Sequence, residues 1–200
     1  MSVVSYVDAW PARGQPFTVD DLDRLPDDGR RYELLDGVLI VSPRPTTVHQ
    51  LAAGRLVMLL GTACPEDLCV VPEPAVQLSN NTEFDPDVVV VRLDEMGGAK
   101  LTAPPLLVIE IRSPSTALID LNRKKTAYQE FGVRAYWIVN PDPREPSLTA
   151  FELRDGRYGP PVTVTGTDSL DAEQPFPVRV VPARLLAGLP GRPETGRSES

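Results

Sequence analysis

Three short, nearly uninterrupted apolar runs constrain the fold of this chain more than any other feature. They are VVVV at 88–91, LLVIEI at 106–111 and AYWIV at 135–139, each of strand length and rich in β-branched or aromatic residues. Runs without apolar-polar alternation are typical of strands that are buried on both faces. We therefore expect these runs to form the centre of a sheet that other elements cover on both sides.

Helical patterns lie between the apolar runs. The segment FTVDDLDRL begins with Thr18 as a helix N-cap and acidic residues in its first turn, and Pro26 is expected to end this short helix. Apolar positions three and four apart predict an amphipathic helix from 46 or 47 to about 60. A third helix is predicted over 119–131, with Gly132 just beyond its end.

Turn residues complete the order of elements. Asp36-Gly37, between RRYELL and VLIVSP, predicts a tight hairpin, and Asp155-Gly156 predicts another. The segment 68–78, which prolines interrupt, is consistent with an edge strand. The resulting order of strand, helix, several strands, helix and strand predicts a protein of the α/β class (mixed α+β), with a mixed sheet flanked by helices.

The length of 200 residues and the 42% hydrophobic content fit one folded domain. We expect an N-terminal extension at 1–16, the domain at 17–185 and a disordered tail at 186–200, where apolar residues are scarce. No apolar run approaches the roughly 18 to 20 residues that span a bilayer, and no signal sequence is evident. A cytoplasmic protein without a membrane partner is therefore expected.

The net charge of −8 limits the ways in which this chain could bind nucleic acid. A protein that coats phosphate backbones through its global field carries the opposite charge. Any such binding must therefore depend on local positive charge. Part of the acidity could instead surround a bound cation.

A carboxylate inside an apolar strand is the most informative local feature. Glu110 interrupts LLVIEI, and an ionised carboxylate is costly to bury unless it has a cation, a basic partner or a raised pKa. Asp87 lies at the start of the preceding apolar run, 23 residues earlier. If the two strands pair, both acids can face the same side. Two such oxygen ligands suit Mg²⁺ or Mn²⁺.

The third predicted helix supplies a lysine. Asp120, Lys124 and Tyr128 are spaced by four and therefore share one stripe. A lysine beside a metal-bound water can orient or deprotonate it, whereas Arg112 cannot act as a base because its guanidinium stays protonated. Lys124 is therefore the candidate for this role.

These residues resemble a known nuclease signature. Pro86-Asp87 and Glu110, followed two residues later by Arg112, look like the PD-(D/E)XK motif with its final lysine replaced. Six blocks, in order, are more specific: they resemble the bacterial Uma-two family of restriction-endonuclease-like proteins from Phe17 to Leu153. The blocks are FTVDDLDRLPDDGRRYELLDGVLIVSP, HQLAAGRL, FDPDVVVV, VIEIRSPST, DLNRKKTAYQEFGVRAYWIVNP and LTAFEL.

The resemblance implies a restriction-endonuclease-like fold and hydrolysis of phosphodiester bonds in nucleic acid, with DNA as the expected substrate and Mg²⁺ (or Mn²⁺) as cofactor. By the same resemblance, Glu33, Asp87 and Glu110 hold the metal. Lys124 matches a lysine that has migrated to the helix, so the site can be active with Arg112 in place of the strand lysine. We also expect a homodimer, since paired subunits suit double-strand cleavage. The expected supporting or substrate-binding residues are Arg112, Tyr128, Gln129 and His49.

Structural interpretations of the same residues stay open. Asp87 could be a turn acceptor after Pro86, and Lys124 could belong to a solvated helix face. His49, the only histidine, could be a general base or an ordinary polar residue in the first turn of its helix. Glu33 could be an exposed residue that pairs with Arg30 or Arg31, and Glu110 could form a buried ion pair with Arg112 or Lys124.

A second function is also compatible with the sequence. The net charge and Arg112 favour a nuclease-fold protein that binds nucleic acid or another protein without cleaving. A glycosidase with paired carboxylates is disfavoured, because the chain is short and has no aromatic-rich sugar platform.

Overall fold

The computed structural model of the protein describes residues 14–112 and 118–189, and of residues 118–121 it describes the backbone only. The helices are α1 (Val19–Leu22), α2 (Thr47–Ala63) and α3 (Leu118–Phe131), with 3₁₀ helices at Leu93–Glu95 and Pro182–Leu186. The strands are β1 (Arg31–Leu35), β2 (Val38–Ser42), β3 (Leu68–Pro72), β4 (Val76–Ser79), β5 (Thr82–Phe84), β6 (Val88–Arg92), β7 (Leu107–Ile111), β8 (Ala135–Asn140), β9 (Ser147–Arg154), β10 (Arg157–Tyr158), β11 (Val162–Thr165), β12 (Leu170–Ala172) and β13 (Val178–Val180). Within the described ranges, no helix has the length and apolarity needed to cross a bilayer.

The largest sheet is mixed and has the three apolar runs at its centre. Its order among the described strands is β10-β9-β8-β7-β6-β3, and β11 also pairs with β9. β7 and β8 run parallel, with α3 as the crossover between them, while the other pairs are antiparallel. The predicted fold class, a mixed sheet flanked by helices, is confirmed.

Alternate residues of the central strands pack into different cores. Val88, Val90 and Ile109 join a cluster that includes Leu56 and Leu60 of α2. The residues between them face the other side, where Val89, Val91, Val108 and Tyr136 pack with Tyr128 of α3. Glu110 shares the second face, because side chains alternate along a strand. The sheet thus presents this carboxylate to α3.

A second, antiparallel sheet completes the surroundings of α3. Its order is β2-β1-β5-β4, and β1 and β2 form the hairpin predicted at Asp36-Gly37. The two turn residues have φ values of 51° and 76°, the left-handed conformation that this dipeptide accommodates. Leu34 packs toward α1, so its neighbour Glu33 faces the opposite side of the sheet.

The structure differs from the sequence-based expectations at two elements. α1 ends at Leu22 and continues only as i to i−3 turns to Leu25, because a residue that precedes proline disfavours helical geometry. The segment 68–78 is divided at its prolines into β3 and β4, which are edges of different sheets. It is therefore two edge strands rather than one.

The packed core extends past position 185, the expected end of the domain, to the buried Leu186 and the partly buried Leu189. Positions 1–13 and 190–200, which include most of the expected extension and tail, lie outside the described residues.

The two Asp-Gly hairpins provide a matched test of the β1–β2 turn. A Cβ at Gly37 would lie 2.5 Å from the Cβ of Pro16, whereas a Cβ at Gly156 would meet nothing within 4 Å, although both glycines have a φ near 75°. We expect Gly156→Ala to lower the free energy of unfolding by about 1–2 kcal/mol through backbone strain. Gly37→Ala should cost more, because it adds a steric clash. Chemical denaturation measures both, and equal losses would contradict the tight packing of Pro16 on the turn.

Candidate functional site

The four principal candidates from the sequence converge on one buried cluster. Glu33 comes from β1, Asp87 from the residue before β6, Glu110 from β7 and Lys124 from α3. Each is between 1% and 4% exposed. Buried ionisable groups need partners, and Glu33, Glu110 and Lys124 supply them to one another, while Asp87 has separate partners.

Lys124 joins the two strand glutamates. Its Nζ donates to Glu33 Oε1 at 2.7 Å and to Glu110 Oε1 at 3.1 Å, and it lies 5.1 Å from the centre of the Phe84 ring. The hydroxyl of Tyr128, one helical turn after Lys124, donates to the same Glu110 oxygen at 2.9 Å. Lys124 and Tyr128 of the predicted stripe therefore face the carboxylate in the strand, and the side chain of Asp120, its third member, lies outside the described residues.

Asp87 has its own set of donors. The backbone N–H of Ile111 donates to Oδ2 at 2.6 Å, because antiparallel pairing brings the start of β6 to the end of β7. His49 Nε2 lies 3.2 Å from the same oxygen, and Arg31 donates to Oδ1 at 3.2 Å. His49 is thus placed at Asp87 from the first turn of α2, while its Nδ1 is buried without a partner among the described residues.

Arg31 and Asp85 are site residues that the sequence argument did not select. Arg31 bridges Asp87 and Glu73, donating to Glu73 Oε1 at 2.9 Å, and its side chain is 19% exposed. The backbone N–H of Asp85 donates to Glu33 Oε1 at 3.0 Å. Arg31 lies two residues before Glu33 on β1, so strand alternation could have identified it, whereas Asp85 lies between β5 and β6 and carried no such signal.

Two carboxyl groups of the cluster have raised pKa values, chiefly because they are buried. Burial raises the pKa of Glu110 to about 7, with Glu33 and Asp87 adding to the effect and Lys124 opposing it. Burial and the nearby Glu33 likewise raise the pKa of Asp85 to about 7. Burial also acts on Asp87, but His49, Arg31 and the Ile111 N–H outweigh it and lower the Asp87 pKa.

The cations of the cluster are firmly protonated. Burial works against the charge of Lys124, but Glu110 and Glu33 outweigh it and raise the pKa of the lysine. Asp87 and Glu33 do the same for Arg31. Apart from His49, which also contacts Asp87, the described part of the cluster sets two cations against four carboxylates, and a bound cation would reduce that excess. The carboxylates are Glu33, Asp85, Asp87 and Glu110.

The donor chemistry fits Mg²⁺ or Mn²⁺, but the three predicted ligands do not form one coordination group. In the ranges 14–112 and 118–189, no three His, Cys, Asp or Glu side chains are gathered so that they could hold a metal. Glu33 Oε1 is already bonded to Lys124 and to the Asp85 N–H. Mg²⁺ commonly binds one or two carboxylates and retains several waters. Both oxygens of Asp87 and Oε1 of Glu110 are also bonded to protein donors, so a metal held by these two acids would displace some of those contacts.

Gln129 and Arg112, the other predicted supporting residues, have no described side-chain contact with these carboxylates. Gln129 accepts a hydrogen bond from the backbone N–H of Tyr158 at 2.8 Å and so ties α3 to β10, away from the carboxylates. For Arg112, only a backbone bond to Val139 is evident among the described residues, so its side chain is not tied to the described part of the cluster. Tyr136 and Trp137 are core residues, as their sequence context suggested.

Comparisons with known proteins agree with this architecture. A family model described as "Uma2: Putative restriction endonuclease" matches residues 19–185. The fold is similar to the crystal structure of a "putative nuclease belonging to DUF820" from Anabaena variabilis, with a TM-score of 0.68, 18% sequence identity, and coverage of 86% of this chain and 98% of the other. Among curated proteins, none matches this chain.

Lys124 should be a major contributor to stability. Lys124→Met would leave Glu33 and Glu110 buried without their shared cation, so we expect the free energy of unfolding in metal-free buffer to fall by about 3–5 kcal/mol. Arg123→Met, at the exposed neighbouring position, should leave it near the wild-type value. Adding Glu33→Gln to Lys124→Met should recover part of the loss. No loss in Lys124→Met would contradict the ion-pair arrangement.

Proposed function

The chain belongs to the Uma2 family of restriction-endonuclease-like proteins, and from this premise we propose that it is a Mg²⁺- or Mn²⁺-dependent endonuclease that hydrolyses the phosphodiester bonds of DNA. Family membership supports nuclease function; the metal and the substrate are our proposal. The observation that carries it is the buried cluster in which carboxylates outnumber cations beside Lys124. Such a cluster is costly for a purely structural core.

Asp87 and Glu110 are the proposed metal-holding residues. Both present hard oxygen donors at one edge of the β6–β7 pair, and because burial raises the pKa of Glu110, a cation bound there would favour its ionised form. A bound divalent cation would supply Lewis acidity, polarising the phosphodiester and making water a stronger nucleophile. Glu33 contributes by fixing Lys124 rather than as a direct ligand.

Lys124 acts as a charged hydrogen-bond donor in this proposal. Glu110 and Glu33 raise the pKa of Lys124 and so favour its protonated form, which donates hydrogen bonds rather than accepts a proton. It can instead orient the attacking water or neutralise charge that develops on the phosphoryl oxygens. Orientation of the water and stabilisation of charge therefore fit Lys124 better than base catalysis.

Neighbouring residues hold the acids in place. His49, Arg31 and the Ile111 N–H fix both oxygens of Asp87, and Tyr128 fixes Glu110. The supporting contacts of metal-binding carboxylates orient them and tune their affinity. Because Arg31 is more exposed than the four buried residues, it is also the group best placed to meet a substrate phosphate.

Cleavage assays with isosteric variants test the proposal. Wild-type protein should cut plasmid DNA with Mg²⁺ or Mn²⁺ and lose that activity in chelator. Asp87→Asn and Glu110→Gln should each lower the rate by about 100-fold or more, a typical loss when a charge-stabilising group is removed. Glu83→Gln is the matched control, because Glu83 is equally buried but pairs with Lys100 at 2.8 Å. Single-stranded DNA and RNA, assayed in parallel, define the substrate.

The same variants distinguish a nuclease from a non-cleaving module, which the sequence also allowed. Equal cleavage by wild type, Asp87→Asn and Glu110→Gln would reject the catalytic assignment. If no cleavage occurs, calorimetric titration with Mn²⁺ decides between the remaining alternatives: heat that depends on Asp87 and Glu110 indicates a metal-binding module, and its absence indicates a site that has lost its metal.

A further inference from the structure

The edge strand β2 is unusual in its composition and exposure. Its sequence VLIVS contains no charge, proline or bulge, and among the described strands β1 is its only partner. Val38 is 61% exposed and Val41 is 47% exposed. Edge strands of monomeric proteins are usually protected by charges, proline or distortion, because an unprotected edge pairs with other strands. β2 has none of these protections before Pro43.

The free backbone groups of β2 follow from the hairpin. Leu35 and Val38 flank the two-residue turn and form its closing hydrogen-bonded pair, so Val38, Ile40 and Ser42 direct their N–H and C=O groups toward β1. Leu39 and Val41 therefore direct theirs outward. Within the described ranges, no other strand pairs with them.

We propose that β2 is a homodimer interface, in which two copies pair antiparallel through this edge about a two-fold axis at Ile40. This register is the one in which both outward-facing residues bond at once, because Leu39 of each copy lies opposite Val41 of the other. The pairing gives four backbone hydrogen bonds. It also covers the exposed Val41 with a leucine side chain on the same face of the sheet.

Charges beyond the two ends of the strand are complementary in the same register. The antiparallel arrangement brings the turn of one copy, which carries the exposed Asp36, beside the end of the partner strand, which carries the exposed Arg44. The two-fold axis repeats this contact. The edge therefore offers opposite charges around an apolar strip, although the chain as a whole carries −8.

The groove beside β2 extends the available contact area. Val38, Leu35 and Asp36 line it together with Arg123, Thr126 and Ala127 of α3, and it has a volume of about 690 Å³. A strand edge of five residues spans only ~17 Å, and a stable interface buries on the order of 1,000 Å² or more. Further contacts would come from this groove and from the hairpin tip of the partner copy. The register places that tip near the other end of β2.

The proposed pairing would also bring two active sites together. This consequence, unlike the pairing itself, rests on the proposed nuclease function. Glu33 lies opposite Ile40 in the β1–β2 pair, so the two copies of Glu33 would be about 15 Å apart on one face of a continuous sheet. That separation is of the same order as the ~12 Å width of the major groove of DNA. One dimer could therefore address both strands of a duplex.

Sedimentation velocity on the full chain at micromolar concentration tests the interface. We expect a dimer for wild type and at least a tenfold weaker dimer for Val41→Lys, because a lysine on the edge opposes pairing. Met58→Lys is the matched control, since Met58 is 73% exposed on α2 and its substitution should leave the dimer unchanged. A monomeric wild type, or equal effects of the two substitutions, would overturn the proposal.

Cysteine cross-linking tests the register independently of any folding defect in Val41→Lys. In a background with Cys64 and Cys69 changed to serine, Ile40→Cys should form an interchain disulfide on mild oxidation, because the two copies of residue 40 face each other directly. Val38→Cys should not, as its partner is Ser42. The opposite pattern, or no cross-link from Ile40→Cys, would refute this pairing. Dimers that do not cleave DNA would refute only the proposed function.

Discussion

The ammonium of Lys124 is the interaction on which the arrangement of the molecule depends. It is buried between Glu33 of the smaller sheet and Glu110 of the larger one, and it is carried by α3, the helix packed between them. Removing Lys124 would leave both glutamates buried without their shared cation, which costs more than a lost surface ion pair. The contact therefore fixes the position of both sheets relative to the helix while it concentrates ionisable groups in one place.

The negative charge of the cluster connects stability to function. Burial, with a further contribution from neighbouring carboxylates, raises the pKa values of Glu110 and Asp85 to about 7, and Arg31 and Lys124 oppose this only in part. A protein selected for stability alone would gain from replacing these acids with apolar residues. The proposed divalent cation would account for their presence, because it would offset the repulsion between them.

The sequence predicted what depends on short-range patterns. The central strands, the hairpin turn at Asp36-Gly37 and the helix that carries Lys124 all follow from the periodicity, β-branching and turn preferences of their own residues. Contacts between distant segments could not be read in this way. Arg31 reaches Asp87 across 56 positions, and the segment 68–78 contributes to two sheets, because pairing partners are chosen by the whole fold. Glu33 was selected by family resemblance, and the structure explains its burial through Lys124.

A crystal soaked in Mn²⁺ and measured at the manganese absorption edge tests the central claim most directly. The account predicts one anomalous peak in the cluster, about 2.1–2.2 Å from oxygens of both Asp87 and Glu110, near the range for hard-cation ligation. Glu33 should remain bonded to Lys124 rather than enter the coordination sphere. A fully occupied peak elsewhere, with the cluster unchanged and still bridged by Lys124 alone, would contradict the assignment of this site as a metal centre.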